Sequence, residues 1–405
     1  MRILLVGSGA REHALLYSMK KDYPTYEYYA LPGNPGMEIP SISLQEAMEK
    51  NWDLVLIGPE EPLVKGMADV FREKGIPVFG PGAEAAALEG SKIFSKNFMR
   101  KYAIPTAKYK VARSYNEALN ILMKFSELPV IKGDGLAGGK GVFLPRSVNE
   151  AQSIIEALMV EDLLGSSGSK LVFEERLEGK EISFFYLVNE KGYRYLGCAR
   201  DHKRAHDGGE GLNTGGMGTF SPVPDMGEKD LIEIDEIMDK TFQGMMAEEM
   251  DYRGVLFIGC MRTKEGLKVL EYNVRFGDPE TQVLMARLKS DFLELALAVA
   301  KNEELPEVVL TDQVALCVVL ASQGYPGEIL KDQPIQIGNL KEDLLLFSGG
   351  TSLIDGVLVN SSGRVYSLVS LGENLPEARK KVYDNIGQIQ FKGVWYRKDI
   401  GVVSN

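Results

Sequence analysis

Cysteine and histidine are scarce in this chain of 405 residues, at three each. Cys198, Cys260 and Cys317 lie far apart with no CxxC spacing, which argues against a disulfide framework and predicts three reduced, buried thiols. His202 and His206 are spaced H-x3-H, but no cysteine stands near them and the segment reads as a loop, so a zinc site is a poor reading. A basic excess is missing too. Forty-six Lys and Arg against 57 Asp and Glu give a net charge of −11, which disfavours a nucleic-acid surface. A local pocket of lysine, arginine and glycine can still reverse that field for a phosphate substrate. No apolar run approaches the ~18 residues of a membrane helix. The apolar start Ile3–Val6 breaks at Gly7, too short for the core of a signal peptide. Internal repeats and low-complexity stretches are absent. A composition of 44% hydrophobic and 25% charged residues argues against disorder. A soluble cytoplasmic protein of two to four domains is expected.

What is present begins with alternation. Apolar runs at Ile3–Val6, Tyr26–Leu31, Asp53–Ile57 and Pro77–Phe79 each end in glycine or proline and are separated by helical stretches. That pattern predicts βαβ units on a parallel sheet, with a ligand edge at the strands' carboxyl ends. From Ser91 the character changes. A basic amphipathic helix over 91–102 precedes a strand–helix–strand–strand–helix–strand set at about 107–180. Longer strands follow at Glu181–Asn189 and Tyr193–Asp201, then a polar loop from His202 to Pro222 and a helix at about 228–250. Gly254–Thr263 and Leu267–Phe276 read as a hairpin through Lys264-Glu265-Gly266. Beyond Asn302–Pro306 the tail reads as short strands with one helix near 375–389.

Five segments carry candidate chemistry. Gly7-Ser8-Gly9-Ala10-Arg11-Glu12 has two glycines of a dinucleotide fingerprint, but Glu12 stands where the third belongs and strand two ends without a carboxylate. An NAD site is therefore weak, while a phosphate seat at the helix N-terminus, with Arg11 adding charge, remains open. Pro129–Lys132 is a strand delivering Lys132, followed by five glycines within 133–141 and a further strand. Strand–loop–strand without GK[ST] is no Walker loop; it is the shape of a flap laying backbone N–H groups on phosphates above a lysine. Leu171–Ser183 runs strand to carboxylate-rich link to strand, a hinge that can offer an adenine edge backbone groups and ribose a carboxylate, Glu181; such links are also often merely solvated. Asp201–Asp207 and Asn213–Gly218 form a donor-rich loop suited to an anion and an amine, with Asp201 for an ammonium. On Glu271–Arg275, strand alternation puts Glu271, Asn273 and Arg275 on one face and Tyr272 and Val274 in the core. A carboxylate beside an amide oxygen suits Mg²⁺, and Arg275 can hold a phosphoryl group or a carboxylate. A cross-strand ion pair of Glu271 is the structural alternative.

Taken in order, a glycine flap, an EE-x-L hinge and an E-x-N strand resemble the ATP-grasp superfamily. The resemblance narrows to the glycinamide ribonucleotide synthetases and covers essentially the whole chain. It rests on GSGAREHAL, PGNPG, IGPEEPL and LEGSK in the first ninety residues. VIKGDGLAGGKGV, EERLEGKEIS, DHKRAHDGGEGLNTGGMGTFSPVP and LEYNVRFGDPETQ follow, then ASQGYPG, SGGT and GRVYSLVSLG. Departures are Ala10 and Gly138, Gly209 and Leu212 in the long loop, and Ser348-Gly349 where the family usually has His-Ala. The stretch Phe257–Cys260 lacks the acidic metal ligand that many ATP-grasp enzymes carry one strand earlier.

The resemblance implies an α/β fold: an N-terminal parallel-sheet domain (1–90), an ATP-grasp core (91–305) with a mobile lid at about 107–180, and a small mostly-β C-terminal domain (306–405). It implies ligation of glycine to 5-phosphoribosylamine through glycyl phosphate, using ATP and Mg²⁺ or Mn²⁺, by a monomer or homodimer. Lys92, Lys132, Gly138, Gly139, Lys140 and Gly141 would hold the phosphates, and Glu174, Glu175, Leu177 and Glu181 the adenosine side. Glu271 and Asn273 would hold the metal. Arg275 would steady the acyl phosphate, with Arg275, Asp201 and Lys132 at the chemistry. Asp201, Lys203, Asn213, Thr214, Gly215 and Met217 would hold glycine, and Gly9, Arg11, Glu12 and Asn34 the phosphoribosylamine.

Overall fold

The computed structural model describes residues 1–138 and 141–402. The chain opens with β1 (Arg2–Gly7), α1 (Ala10–Lys20), β2 (Glu27–Pro32), α2 (Leu44–Glu49), β3 (Leu54–Ile57), α3 (Glu60–Val64), α4 (Met67–Glu73), β4 (Val78–Phe79) and α5 (Ala83–Gly90). Its four strands form a parallel sheet in the order β2-β1-β3-β4. Ile3–Val6 are buried without alternation, as a parallel strand covered on both faces requires. The turns at Gly7-Ser8-Gly9, Gly33-Asn34 and Gly58 therefore gather at one sheet edge.

Ser91 caps α6 (Lys92–Lys101), its hydroxyl accepting from Phe94 N at 3.1 Å. A small unit follows: β5 (Tyr109–Ala112), α7 (Tyr115–Leu122), β6 (Val130–Gly133), β7 (Val142–Phe143), α8 (Val148–Met159) and β8 (Leu171–Glu174). Its antiparallel sheet, β5-β8-β6-β7, packs on both helices through Ile121, Ile131, Ile155, Leu158 and Phe173, a core of its own. The element order matches the expectation from the sequence.

The remainder holds β9 (Lys180–Asn189), β10 (Gly192–Asp201), β11 (Arg204–His206), β12 (Glu210–Asn213), β13 (Gly218–Ser221), α9 (Glu228–Ala247), β14 (Gly254–Thr263), β15 (Gly266–Asn273), α10 (Glu280–Arg287) and α11 (Phe292–Ala300). After these come β16 (Val314–Ala321), β17 (Gln336–Ile337), β18 (Leu344–Ser348), β19 (Thr351–Ile354), β20 (Val357–Asn360), β21 (Arg364–Gly372), α12 (Leu375–Asn385) and β22 (Ile389–Gln390). Eight of these strands make one antiparallel sheet, β15-β14-β9-β10-β13-β16-β21-β18. The C-terminal strands thus continue the central sheet through the β13–β16 pair.

Three local differences from the sequence reading have physical causes. The polar stretch 202–222 carries the hairpin β11–β12 and the strand β13, each too short to show an alternating pattern. Residues 280–300, unassigned above, form α10 and α11; α10 is buried nearly all round and so has no amphipathic stripe to read. The metal-strand candidate leaves the sheet at Asn273 rather than Phe276.

Candidate active site

The alternation expected for residues 271–275 is seen in burial at every position but Asn273, which is buried as well. Tyr272 and Val274 are buried, and Glu271 and Arg275 are half-buried on the other side. Burial works against ionising Glu271, but Lys203, Lys132, Lys92 and Arg275 outweigh it and hold the carboxyl below its ordinary value. Opposite it on β14 stands Gly259, where a Cβ would come within 3.4 Å of Glu271 Cγ. Asn273 Oδ1 accepts from Arg275 Nη2 at 3.3 Å, and its buried Nδ2 has no partner among the described residues. Among those residues no three His, Cys, Asp or Glu side chains cluster for a metal. A metal held here would meet a carboxylate and an amide oxygen, hard ligands of the kind Mg²⁺ takes alongside phosphate oxygens and water.

Arg275 is gripped from behind. Its Nε lies 3.2 Å from Glu60 Oε2, Nη2 lies 3.1 Å from Glu89 Oε1, and Nη1 donates to Phe276 O at 3.2 Å. The other Glu89 oxygen accepts from Val274 N at 2.8 Å. Burial raises the Glu89 carboxyl to about 7 despite the arginine. Glu60 and Glu89 were not singled out from the sequence, because their partner Arg275 lies far along the chain, 215 residues from Glu60.

Lys132, on β6, lies 2.9 Å from Glu174 Oε1, and Lys92, at the start of α6, donates to Gly135 O at 2.9 Å. The root of the glycine flap is tied to the same helix: Asp134 Oδ1 accepts from Ser91 Oγ at 2.9 Å and from Ile93 N at 3.1 Å. Gly138 and Gly141 flank the flap; Gly139 and Lys140 lie outside the described residues. In the hinge, Glu174 is buried against Lys132 and Lys96, a lysine the sequence reading passed over. Glu175 Oε1 accepts from Lys108 N at 3.0 Å, Leu177 is half-buried, and exposed Glu181 pairs with Lys203 at 2.8 Å.

The long loop presents backbone more than side chains. Thr214 Oγ1 donates to Lys203 O and accepts from Gly216 N, at 2.9 and 3.0 Å. Asn213 pairs with Arg204 in the hairpin. The Met217 side chain is fully buried, so only its backbone faces anything polar. Gly215 N donates to Tyr325 Oη at 3.0 Å. Gly216 has φ +114°, and a Cβ there would meet Asp201 Oδ1 at 2.8 Å, so the loop passes directly over that carboxylate. Burial and the nearby Glu280 push the Asp201 carboxyl well above the usual range, against Lys203 and Arg364.

A cavity of about 480 Å³ opens between the first and last thirds of the chain, lined by Ser8, Gly9, Asn34, Asp278, Tyr325 and Arg364 among others. Gly9 and Asn34 lie in its wall as expected. Asn34 also fastens the wall, donating to Ser8 O at 2.9 Å and Ser348 O at 3.0 Å. Arg11 and Glu12 turn inward instead. Arg11 Nη1 donates to Phe276 O at 2.9 Å, and Glu12 accepts from Arg11 Nε at 2.5 Å and from Gly9 N at 2.6 Å. Glu12 fits where the fingerprint glycine would stand because Gly7 and Gly58 leave room for its carboxylate. The cation in the cavity wall is Arg364, 3.3 Å from Asp278 Oδ1 and donating to Gly215 O and Asp278 O. It stands in the string GRVYSLVSLG, which carries the resemblance without marking this arginine for the cavity.

Models of the phosphoribosylglycinamide synthetase family match the N domain at 1–89, the ATP-grasp (A) domain at 90–281 and the C domain at 315–403. The phosphoribosylamine–glycine ligase of Caldanaerobacter subterraneus is 42% identical, with 99% of both chains covered, and that of Clostridium acetobutylicum is 43% identical at the same coverage. A crystal structure of phosphoribosylamine–glycine ligase from Thermotoga maritima superposes with a TM-score of 0.90 at 36% identity, covering 99% of this chain and 100% of that one. The biotin carboxylase of Campylobacter jejuni, at 13% identity and a TM-score of 0.76, covering 99% of this chain and 94% of that one, shares the fold alone. With models of all three domains and full-length relatives in agreement, this chain belongs to the phosphoribosylglycinamide synthetase family.

Proposed function

We propose that this protein ligates glycine to 5-phosphoribosylamine, with ATP giving ADP and phosphate and glycinamide ribonucleotide as product, in purine synthesis. The observation that carries the reading is the convergence of Lys92, Lys132, Lys203 and Arg275 on Glu271, beside a cavity walled by a helix N-terminus and Arg364. Lys132, Lys203 and Arg275 are also held by Glu174, Glu181, Glu60 and Glu89, so the site is an array of cations fixed in place by carboxylates, which suits a polyphosphate arriving with a metal ion. Glycine's carboxylate is a poor electrophile because its leaving group would be oxide. Transfer of the γ-phosphoryl group gives glycyl phosphate, whose phosphate departs when the ribosylamine nitrogen attacks the acyl carbon. The protein's part is positioning and charge neutralisation.

Lys92 and Lys132 would steady the β- and γ-phosphates under the flap, with the hinge at Glu175–Leu177 along the adenine. Glu271 and Asn273 would hold Mg²⁺ or Mn²⁺, which offsets phosphate charge during transfer. Arg275, fixed by Glu60 and Glu89, would meet the acyl phosphate. Asp201 and the 213–217 backbone would take glycine, and Gly9, Asn34 and Arg364 the phosphoribosylamine. On this reading residues 1–90 and 306–405 form the amine site and 91–305 the nucleotide site of a cytoplasmic monomer or homodimer. ADP release should require glycine and phosphoribosylamine together. Release driven by bicarbonate, with glycine inert, would point to a carboxylase instead.

A further inference from the structure

Lys96 belongs to none of the motifs above, yet at 2% exposure it is one of the most buried charges in the molecule. Its Nζ lies 3.1 Å from Glu174 Oε2 and donates to Thr106 Oγ1 at 2.7 Å, which passes the chain on to Val269 O at 2.6 Å. On the far side of the same carboxylate, Lys132 Nζ lies 2.9 Å from Glu174 Oε1. Glu174 is itself 2% exposed, so water screens neither contact.

Consider the charges. A buried Lys132–Glu174 pair on its own would be neutral, and its ammonium would have little field left for an incoming phosphate. The second ammonium leaves the group with one net positive charge. Apart from Glu174, Lys132 Nζ donates only a long bond, to Leu270 O at 3.5 Å, next to Glu271, among the described residues.

We propose that Lys96 is a positioning residue for the nucleotide. It neutralises Glu174 from behind, so that the charge of Lys132 is free for the phosphates. It does not touch ATP, and Glu174 acts through the two lysines rather than on adenosine. The proposal rests on the ATP reading above and adds a residue to it.

The test is equilibrium binding of a non-hydrolysable ATP analogue with Mg²⁺ to the full-length protein. Neither acid nor amine is needed. A wild-type protein that fails to bind would remove the ATP reading itself, whereas binding by wild type leaves the variants to judge Lys96. Lys96→Met should weaken binding by about tenfold or more, the scale of one charge-assisted contact, while Lys96→Arg should stay within about threefold. The double variant Lys96→Met/Glu174→Gln should recover most of the loss, because without the carboxylate there is nothing left to neutralise. A lysine serving only as packing would make the double variant no better than the single. That outcome, or unchanged binding in Lys96→Met, overturns the proposal. Should Lys96→Met fail to fold, the folded double variant decides: binding near that of Lys96→Arg supports the proposal and poor binding overturns it.

Discussion

Glu271 and Val274 lie three residues apart and should fail in opposite ways. Glu271→Ala and Asn273→Ala remove oxygen ligands from a half-open cleft, so turnover should nearly vanish and residual activity should need more Mg²⁺, with the fold largely intact. Val274 is 1% exposed. Val274→Ala should cost roughly 1–3 kcal/mol of stability and leave turnover per folded molecule close to normal. Melting temperature, Mg²⁺ dependence and turnover for the three variants check this, and an inactive but stable Val274→Ala would place the metal on the wrong face. A second expectation concerns Arg364. Arg364→Met should raise the KM for phosphoribosylamine by about 1.5–3 kcal/mol in free-energy terms and spare the KM for ATP. Arg11→Ala should chiefly lower melting temperature, since its guanidinium is spent on Glu12 and Phe276 O. These cases also mark what a sequence discloses. Glu271 is legible because alternation along one strand sets it opposite Tyr272, whereas the burial of Asn273 is not. Nor are Arg364, Glu60 and Glu89, because each acts on a partner that only the tertiary fold brings near.

At the scale of elements, α1 docks on the end of β18 through Phe347, which meets the rings of His13 and Tyr17, and through a hydrogen bond in which Ser348 N donates to His13 Nδ1 at 2.9 Å. That bond needs a neutral imidazole. Burial, helped by Lys20, lowers His13 from 6.5 to about 4, and burial with Arg397 does the same to His202. The unfolded chain therefore binds more protons than the native one between pH 6.5 and about 4, and stability must fall as pH drops through that window. Melting temperature followed across it should decline less steeply in His13→Gln, whose amide oxygen can still accept from Ser348 N. An equal slope in both proteins would show that the joint does not titrate. The flap offers another expectation. Its glycine density sets a large entropy to be lost on ordering, while its root is tied through Asp134 to α6. Hydrogen exchange with and without an ATP analogue should differ along 133–141 and the hinge at 174–181, and little within α7 and α8. Indifference of the flap to nucleotide would end the lid reading. Glycine spacing points to this flap in the sequence, whereas α10 was hidden because a helix buried on nearly every side carries no stripe.

At the scale of the molecule, the N-terminal parallel sheet and the 107–180 unit were readable because each keeps its pattern within a short stretch of chain. The path of the large sheet was not, since β13 pairs with β16 almost a hundred residues later and nothing at Gly218–Ser221 names that partner. This pairing has a consequence for anyone who cuts the gene. The last hundred or so residues look like a detachable module, yet ending the chain after α11 would strip β13 of a neighbour along its whole length and lay bare Phe220, which is 1% exposed in the intact protein. Such a fragment would end its largest remaining sheet in an open, sticky strand edge at β13, and should precipitate rather than bind nucleotide on its own. Swapping C-terminal thirds between relatives should succeed only when the seam preserves the β13–β16 register, which makes this an enzyme to be grafted whole.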